Sequence, residues 1–229
     1  MSQIELSGIS KEYAVGDLTI RAVDGVSLSI EKGDFLSIVG HSGSGKTTLL
    51  SIIGGIIRPS TGKVLYEGSD ICRLDDDRVS EYRNRKIGFM FQFASLLPIL
   101  TAKENVILPG LFGPAGATAR GKAAEEYLSV VGLSDKINSF PSQLSGGQQR
   151  RVAIARALIN DPEVILADEP TGDLDEDTEA EIMDLFRKLN KERQVTFIFI
   201  THNGDLARQA ARQLRMHSGR LEEVSRIPA

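Results

Sequence analysis

Gly40-His41-Ser42-Gly43-Ser44-Gly45-Lys46-Thr47 matches the phosphate-loop pattern G-x-x-x-x-G-K-[ST]. The five residues before it, 35–39, are a short apolar run suited to a buried strand, and residues 48–57 read as a helix. Strand, loop and helix in that order are the context the motif requires. Glycines at 40, 43 and 45 let the backbone curl until successive N–H groups point into one concavity, an anion nest. The helix that follows adds its own unpaired N–H groups and the positive end of its dipole. In such a loop Lys46 reaches the β- and γ-phosphates and the Thr47 hydroxyl ligates Mg²⁺. Residues 40–48, including His41, Ser42, Ser44 and Thr48, are therefore the expected nucleotide-phosphate contacts.

The chain has 229 residues, 41% hydrophobic and 25% charged, which suits one large domain or two small lobes. A net charge of −4 argues against broad nucleic-acid affinity. With one cysteine, Cys72, no internal disulfide can form, and a reducing compartment fits. No signal peptide is expected from the first residues. The longest apolar run, 49–57, is interrupted by Ser51, Gly54 and Gly55 and is too short to cross a bilayer. Any membrane-embedded part is expected from another chain.

Ile4, Leu6 and Ile9 suggest an opening strand, and Val26-Ser27-Leu28-Ser29-Ile30 alternates cleanly. Glu31-Lys32-Gly33-Asp34 then turns the chain into 35–39, so an antiparallel β region is expected ahead of the loop. Tyr13 falls in this region; its ring suits stacking on a base, and equally suits a half-buried strand position. Residues 63–66 read as a strand. Residues 75–85 read as a charged helix, acidic at its start and basic at its end. A buried strand is expected over 87–91, ending at Gln92, then an apolar loop over 93–100 and a capping box at Thr101-x-x-Glu104. With a helix over 117–131 closed by Gly132, residues 93–144 read as mostly helical and distinct from the strands around them.

Ser145-Gly146-Gly147-Gln148 is a second capping box, opening a helix that runs to Ile159. Capping alone explains the pattern, although a glycine-rich helix start is also an anion site. Val164-Ile165-Leu166-Ala167 is continuously apolar, as in a central parallel strand, and ends in Asp168 and Glu169. Open α/β sheets place ligands at the carboxyl ends of their strands. Two acids there without a function would cost burial energy. Asp168 is expected to serve Mg²⁺ through its water shell, and Glu169 to act as base or positioner for attacking water. Residues 177–191 read as a helix with Asp175 near its start. A further buried strand, 195–200, ends in Thr201-His202, which places His202 as a γ-phosphate contact or sensor. A closing hairpin is expected around Ser218-Gly219.

Together these residues resemble the nucleotide-binding subunit of ATP-binding cassette (ABC) transporters. Residues 40–47 match Walker A, and Gln92 looks like the Q-loop glutamine. Leu144-Ser145-Gly146-Gly147-Gln148 matches the LSGGQ signature, and 164–168 followed by Glu169 matches Walker B and its glutamate. Leu174-Asp175 is similar to the D-loop, His202 to the H-switch and Tyr13 to the A-loop aromatic. The motifs occur in order along essentially the whole chain.

The resemblance implies an α/β P-loop NTPase fold. Its RecA-like core and antiparallel β subdomain would occupy approximately 1–92 and 145–229, with a helical subdomain inserted at 93–144. It implies ATP and Mg²⁺, with Thr47, Gln92 and water-linked Asp168 at the metal, and with Glu169, His202 and Gln92 catalytic. A head-to-tail homodimer around two ATP is implied. There Ser145, Gly146, Gly147 and Gln148 act on the partner's ATP and Asp175 sits at the interface. Integral membrane permease subunits are the further implied partners, met from the cytoplasmic face; no nucleic acid is expected.

Within the family, residues 167–172, Leu96-Leu97-Pro98 with Thr101-Ala102-x-Glu104-Asn105-Val106, and an insertion over 14–23 look like the lipoprotein-releasing and macrolide-exporting branch. Asp173 departs from the Asn usual there, and Phe140 from the commoner Tyr or His. An ATP-gated scaffold of a membrane complex is the alternative role. DNA-repair and translation members differ by a long insertion or a second cassette.

Overall fold

Two sheets organise the computed structural model, which describes residues 2–91, 94–112, 117–172 and 174–226. In chain order the strands and helices begin with β1 (Ile4–Val15), β2 (Leu18–Ile30) and β3 (Phe35–Val39), then α1 (Lys46–Ile53), β4 (Thr61–Tyr66) and β5 (Ser69–Asp70). Next come α2 (Asp76–Lys86), β6 (Ile87–Met90), α3 (Ala102–Ile107), α4 (Ala117–Val130) and α5 (Gly146–Leu158). The chain closes with β7 (Val164–Asp168), α6 (Glu176–Arg193), β8 (Thr196–Thr201), α7 (Gly204–Ala207), β9 (Arg212–His217) and β10 (Arg220–Arg226).

The larger sheet has the order β10-β9-β3-β8-β7-β6, and the smaller, antiparallel one β2-β1-β4-β5. From β9 to β6 all neighbours are parallel, and only the β9–β10 hairpin runs against them. Period-two alternation sends the residues of each central strand into two different cores. Leu36, Ile38, Ile198 and Ile200 pack with α1 and the antiparallel sheet. Phe35, Phe197 and Phe199 pack with α5 and α6. The mixed α/β architecture, with its antiparallel sheet and helical parts, is that of the P-loop NTPase fold read from the sequence.

Between β6 and α5 the described regular structure is entirely helical: α3, α4 and 3-10 turns at Leu108–Phe112 and Pro141–Gln143. Thr101 and Glu104 form the expected capping box on α3, as Ser145 and Gln148 do on α5.

Two elements differ from the sequence reading. The helix after the loop ends at Ile53 rather than reaching 57. A Cβ at Gly54 would lie 2.0 Å from Phe89 Cζ, and Gly55 takes φ +67°, so close packing against β6 and a left-handed residue end the helix. Secondly, the opening strands are far longer than the apolar alternation suggested, joined at Gly16 and Asp17 into one long hairpin. Tyr13 pairs with Ile20 and Val15 with Leu18, and all four side chains are exposed. An unburied ribbon has no core side, so its apolar residues carry no in–out signature.

Candidate functional site

Parallel pairing sets Val39 opposite Thr201, and Asp168 opposite Ile200. The phosphate loop, Asp168-Glu169 and His202 therefore leave the sheet at the same edge, as open α/β sheets require. They line one cleft of about 380 Å³ whose walls are Ala22, residues 42–48, Asp168, Glu169 and His202.

The loop is held from below by its neighbours. A Cβ at Gly40 would meet the Met216 carbonyl at 2.3 Å, and one at Gly45 would meet the Ala22 carbonyl at 2.0 Å. Gly45 also needs φ +104° to start α1. At Gly43, φ +76°, a Cβ would meet nothing within 4 Å, so this glycine borders open space on the cleft side of the loop.

Lys46 is buried, and its Nζ donates to the carbonyls of Gly40 (2.8 Å) and His41 (3.0 Å). Among the described residues no carboxylate forms an ion pair with it. The Ser44 hydroxyl is buried without a hydrogen-bond partner among the described residues. A desolvated cation without counter-charge and an orphaned hydroxyl on one loop are groups that a phosphate would satisfy.

Thr47 Oγ1 donates to Asp168 Oδ2 at 2.8 Å, bridging loop and strand end. Two hard oxygens side by side suit Mg²⁺, which takes few protein ligands and completes its shell with phosphate and water. Glu169 follows in a left-handed backbone, φ +47°. Its N–H continues the β7–β8 ladder to the Ile200 carbonyl (3.0 Å), and its carbonyl accepts from Gly172 N–H (3.1 Å). Such a conformation costs about 1–2 kcal/mol in a non-glycine residue. It turns the carboxylate toward His202, whose Nδ1 lies 2.9 Å from Glu169 Oε1.

Two expected contributors stand apart from this cluster. Tyr13 is on the exposed hairpin with Lys11 Nζ 5.3 Å from its ring centroid, and only Ala22 of that hairpin lines the cleft. His41 is exposed at the loop's outer edge and is not part of the lining. Gln92 and Asp173 lie outside the described residues.

Ser145, Gly146, Gly147 and Gln148 form the start of α5 and do not line the cleft. A Cβ on Gly147 would lie 2.6 Å from Thr178 Cγ2. Thr178 cannot yield easily, because its N–H (3.0 Å) and hydroxyl (2.8 Å) both donate to the Asp175 carboxylate. These bonds hold the Asp175 carboxyl below the usual carboxylate range. Asp175, expected at an interface, is thus the N-cap of α6 and braces the α5 start through Thr178.

Residues the sequence did not flag complete the picture: Ala22 and Met216 wall the loop, and Arg150 is almost fully buried behind the α5 start. Neither Ala22 nor Met216 belongs to a chemical motif, and Arg150 stands among polar residues at the α5 start, where nothing in the sequence marks it as buried.

A second, apolar depression of about 580 Å³ lies between β6, α2, α5 and the Leu108–Phe112 turn. Ile56, Phe89, Phe91 and Phe112 line it together with Arg83 and Arg156. Phe112 is 84% exposed and Phe91 49%. Of the 93–100 segment, Leu96 packs on the core, while Leu97 and Ile99 are exposed; Phe93 lies outside the described residues. No described helix is long and apolar enough to cross a membrane.

The sequence model of the ABC transporter family matches residues 23–172. An uncharacterised ABC transporter ATP-binding protein of Thermotoga maritima is 49% identical over 97% of this chain and 95% of its own. The lipoprotein-releasing system ATP-binding protein LolD 1 of Rhodopseudomonas palustris is 44% identical, covering 95% of this chain and 97% of its own. The macrolide export ATP-binding/permease protein MacB of Syntrophobacter fumaroxidans is also 44% identical over 98% of this chain, which spans only 32% of MacB. A solved dimer of the cassette MJ0796 of Methanocaldococcus jannaschii, described as a post-hydrolysis state bound to ADP and Pi, superposes with a TM-score of 0.91 at 43% identity. It covers 99% of both chains. The chain belongs to the ABC transporter family, as an ATP-binding cassette.

Proposed function

We propose that the chain hydrolyses ATP as one half of a head-to-tail dimer and thereby drives a separate membrane permease. The observation that carries this reading is a division of parts. Phosphate loop, Thr47–Asp168 and Glu169–His202 share one cleft, while the Ser145–Gln148 helix end stands outside it. A helix start that lies outside its own chain's cleft is suited to cap a nucleotide held by a second copy. The MJ0796 cassette is described as dimeric with ADP and Pi, which supports the arrangement.

The phosphates would replace the carbonyl partners of Lys46 and engage Ser44 and the loop N–H groups. Thr47 and Asp168 would hold Mg²⁺, which supplies charge neutralisation on the phosphates when bound. Glu169, oriented by His202, would accept the proton of the attacking water, and His202 would sit by the γ-phosphate. Tyr13 would stack on the base from the hairpin, and Gln92 would join the metal site. ATP bound between two chains favours the closed dimer by linkage. Loss of the bridging γ-phosphate opens it.

Residues 93–144 would form the helical lobe, and the apolar depression beside it would receive a cytoplasmic segment of the permease. The similarity to LolD and MacB favours export or extraction of an amphipathic cargo such as a lipoprotein, lipid, peptide or drug. The chain would then work at the cytoplasmic face of the membrane.

Two substitutions test the two surfaces. Gly147→Ala is expected to abolish the ATP-dependent dimer in size-exclusion chromatography while ATP affinity of the single chain stays within about threefold, since the methyl must displace α5 from α6. A dimer that survives intact argues against the α5 start as the second half of the site. Phe112→Asp is expected to leave the ATPase rate of the isolated chain within about twofold and to remove permease-stimulated turnover, because a carboxylate would have to be desolvated on docking. Full stimulation in the reconstituted complex would move the docking surface elsewhere.

A further inference from the structure

Arg150 lies one helical turn past the α5 start and is 5% exposed. Its guanidinium donates to the Phe91 carbonyl through Nη1 (3.2 Å) and to the Gly172 carbonyl through Nη2 (3.1 Å). Phe91 is the residue after β6. Gly172 closes the turn whose first residue is Glu169, through its N–H to the Glu169 carbonyl at 3.1 Å. One planar fork thus ties the α5 start to the turn that holds Glu169 in its left-handed conformation.

Burying a cation is costly, and here two of its donors go to backbone carbonyls of separate segments. The fixed geometry of the guanidinium makes the link directional, which a flexible ammonium, a point charge without a planar fork, cannot reproduce. The Glu169 turn is also strained at φ +47°. A strained turn keeps its shape only if its surroundings over-determine it. Removing the bond at Gly172 frees the turn's far end.

We propose that Arg150 is a positioning residue that couples the Glu169 turn, acting on a chain's own ATP, to the Ser145–Gln148 helix end, acting on the partner's ATP. The inference rests on the proposed dimeric ATPase. In that dimer, contact of ATP with one chain's α5 start is transmitted through Arg150 to the same chain's Glu169. The two sites then respond together. Arg150 does not touch the phosphate cleft, so a single chain's affinity for ATP does not depend on it.

The test uses the full chain with Arg150→Met and Arg150→Lys. ATP hydrolysis is followed against ATP concentration, ATP binding by titration calorimetry at concentrations where the chain is monomeric, and Tm by differential scanning fluorimetry. Wild type is expected to show a Hill coefficient above 1. For Arg150→Met the expected result is a fall in kcat of about tenfold or more and a Hill coefficient of about 1, with monomer ATP affinity changed less than about twofold. Arg150→Lys is expected to retain the wild-type Tm and still show the low kcat and loss of cooperativity. If Arg150→Met does not fold, Arg150→Lys decides alone. The inference is overturned if kcat stays within about twofold of wild type and the Hill coefficient stays at the wild-type value, above 1, in the folded variants, or if lysine restores both. It is also overturned if wild type shows no cooperativity. Absence of ATP hydrolysis by wild type removes the proposed function, and this inference with it; wild-type cooperativity with an unaffected Arg150 variant removes the inference alone.

Discussion

Glu169→Gln is expected to lower steady-state ATP turnover by at least about a hundredfold and to leave ATP binding within a few-fold. Glutamine matches glutamate in size and keeps an oxygen able to face His202 Nδ1, now 2.9 Å away. It cannot take a proton from water, and general-base catalysis is worth roughly 10²–10⁴ in rate. The strained φ of +47° is imposed by the ladder to Ile200 and the turn to Gly172, neither of which involves the side chain. The variant should therefore fold normally. With hydrolysis stopped, the γ-phosphate stays in place, and the chain should accumulate as an ATP-bound dimer. Phosphate release and light scattering behind a sizing column measure the two effects. Turnover within about tenfold of wild type removes Glu169 from the role of base. Absence of any ATP-dependent dimer removes the sandwich arrangement.

Lys46→Ala should weaken ATP binding by about ten- to a hundredfold, the equivalent of losing charge-assisted hydrogen bonds worth about 1.5–3 kcal/mol. The ammonium is buried and, among the described residues, donates to the Gly40 and His41 carbonyls. Its removal takes away the one full positive charge within the loop. The loop's shape rests on Met216, Ala22 and the glycines, so it should persist. Calorimetric titration with ATP and Mg²⁺ measures the affinity, and an unchanged Tm shows that the fold is intact. Near-normal affinity would contradict the phosphate cradle directly.

Most of the candidate site was legible because its chemistry is local in sequence. The phosphate loop is contiguous, and three glycines with Lys46 and Thr47 state their purpose without tertiary information. Asp168 and His202 were legible by a second route: each follows a continuously apolar run. A parallel sheet brings the carboxyl ends of such runs to one edge. The α5 start was legible as a cap, and Ser145 does cap it.

What stayed hidden depends on contacts between segments far apart in the chain. The long β1–β2 hairpin was missed because a ribbon with both faces in water needs no alternation. The early end of α1 depends on Phe89, thirty-five residues beyond Gly54. The Asp175–Thr178–Gly147 brace and the Arg150 fork join α5 to segments on either side of it.

By itself, then, the sequence determined the strand–loop–helix nucleus at residues 40–47, the order of strands and helices around it, and the residue types able to bind phosphate and move a proton. These follow from local backbone freedom, periodicity and side-chain chemistry. Only the tertiary structure decided which groups meet. Thr47 bonds Asp168, His202 faces Glu169, and Arg150 reaches both Phe91 and Gly172 because parallel register and close packing fix those distances. Short-range rules specify what each segment can do, whereas distances of 3 Å between remote side chains exist only once the sheet has closed around its two cores.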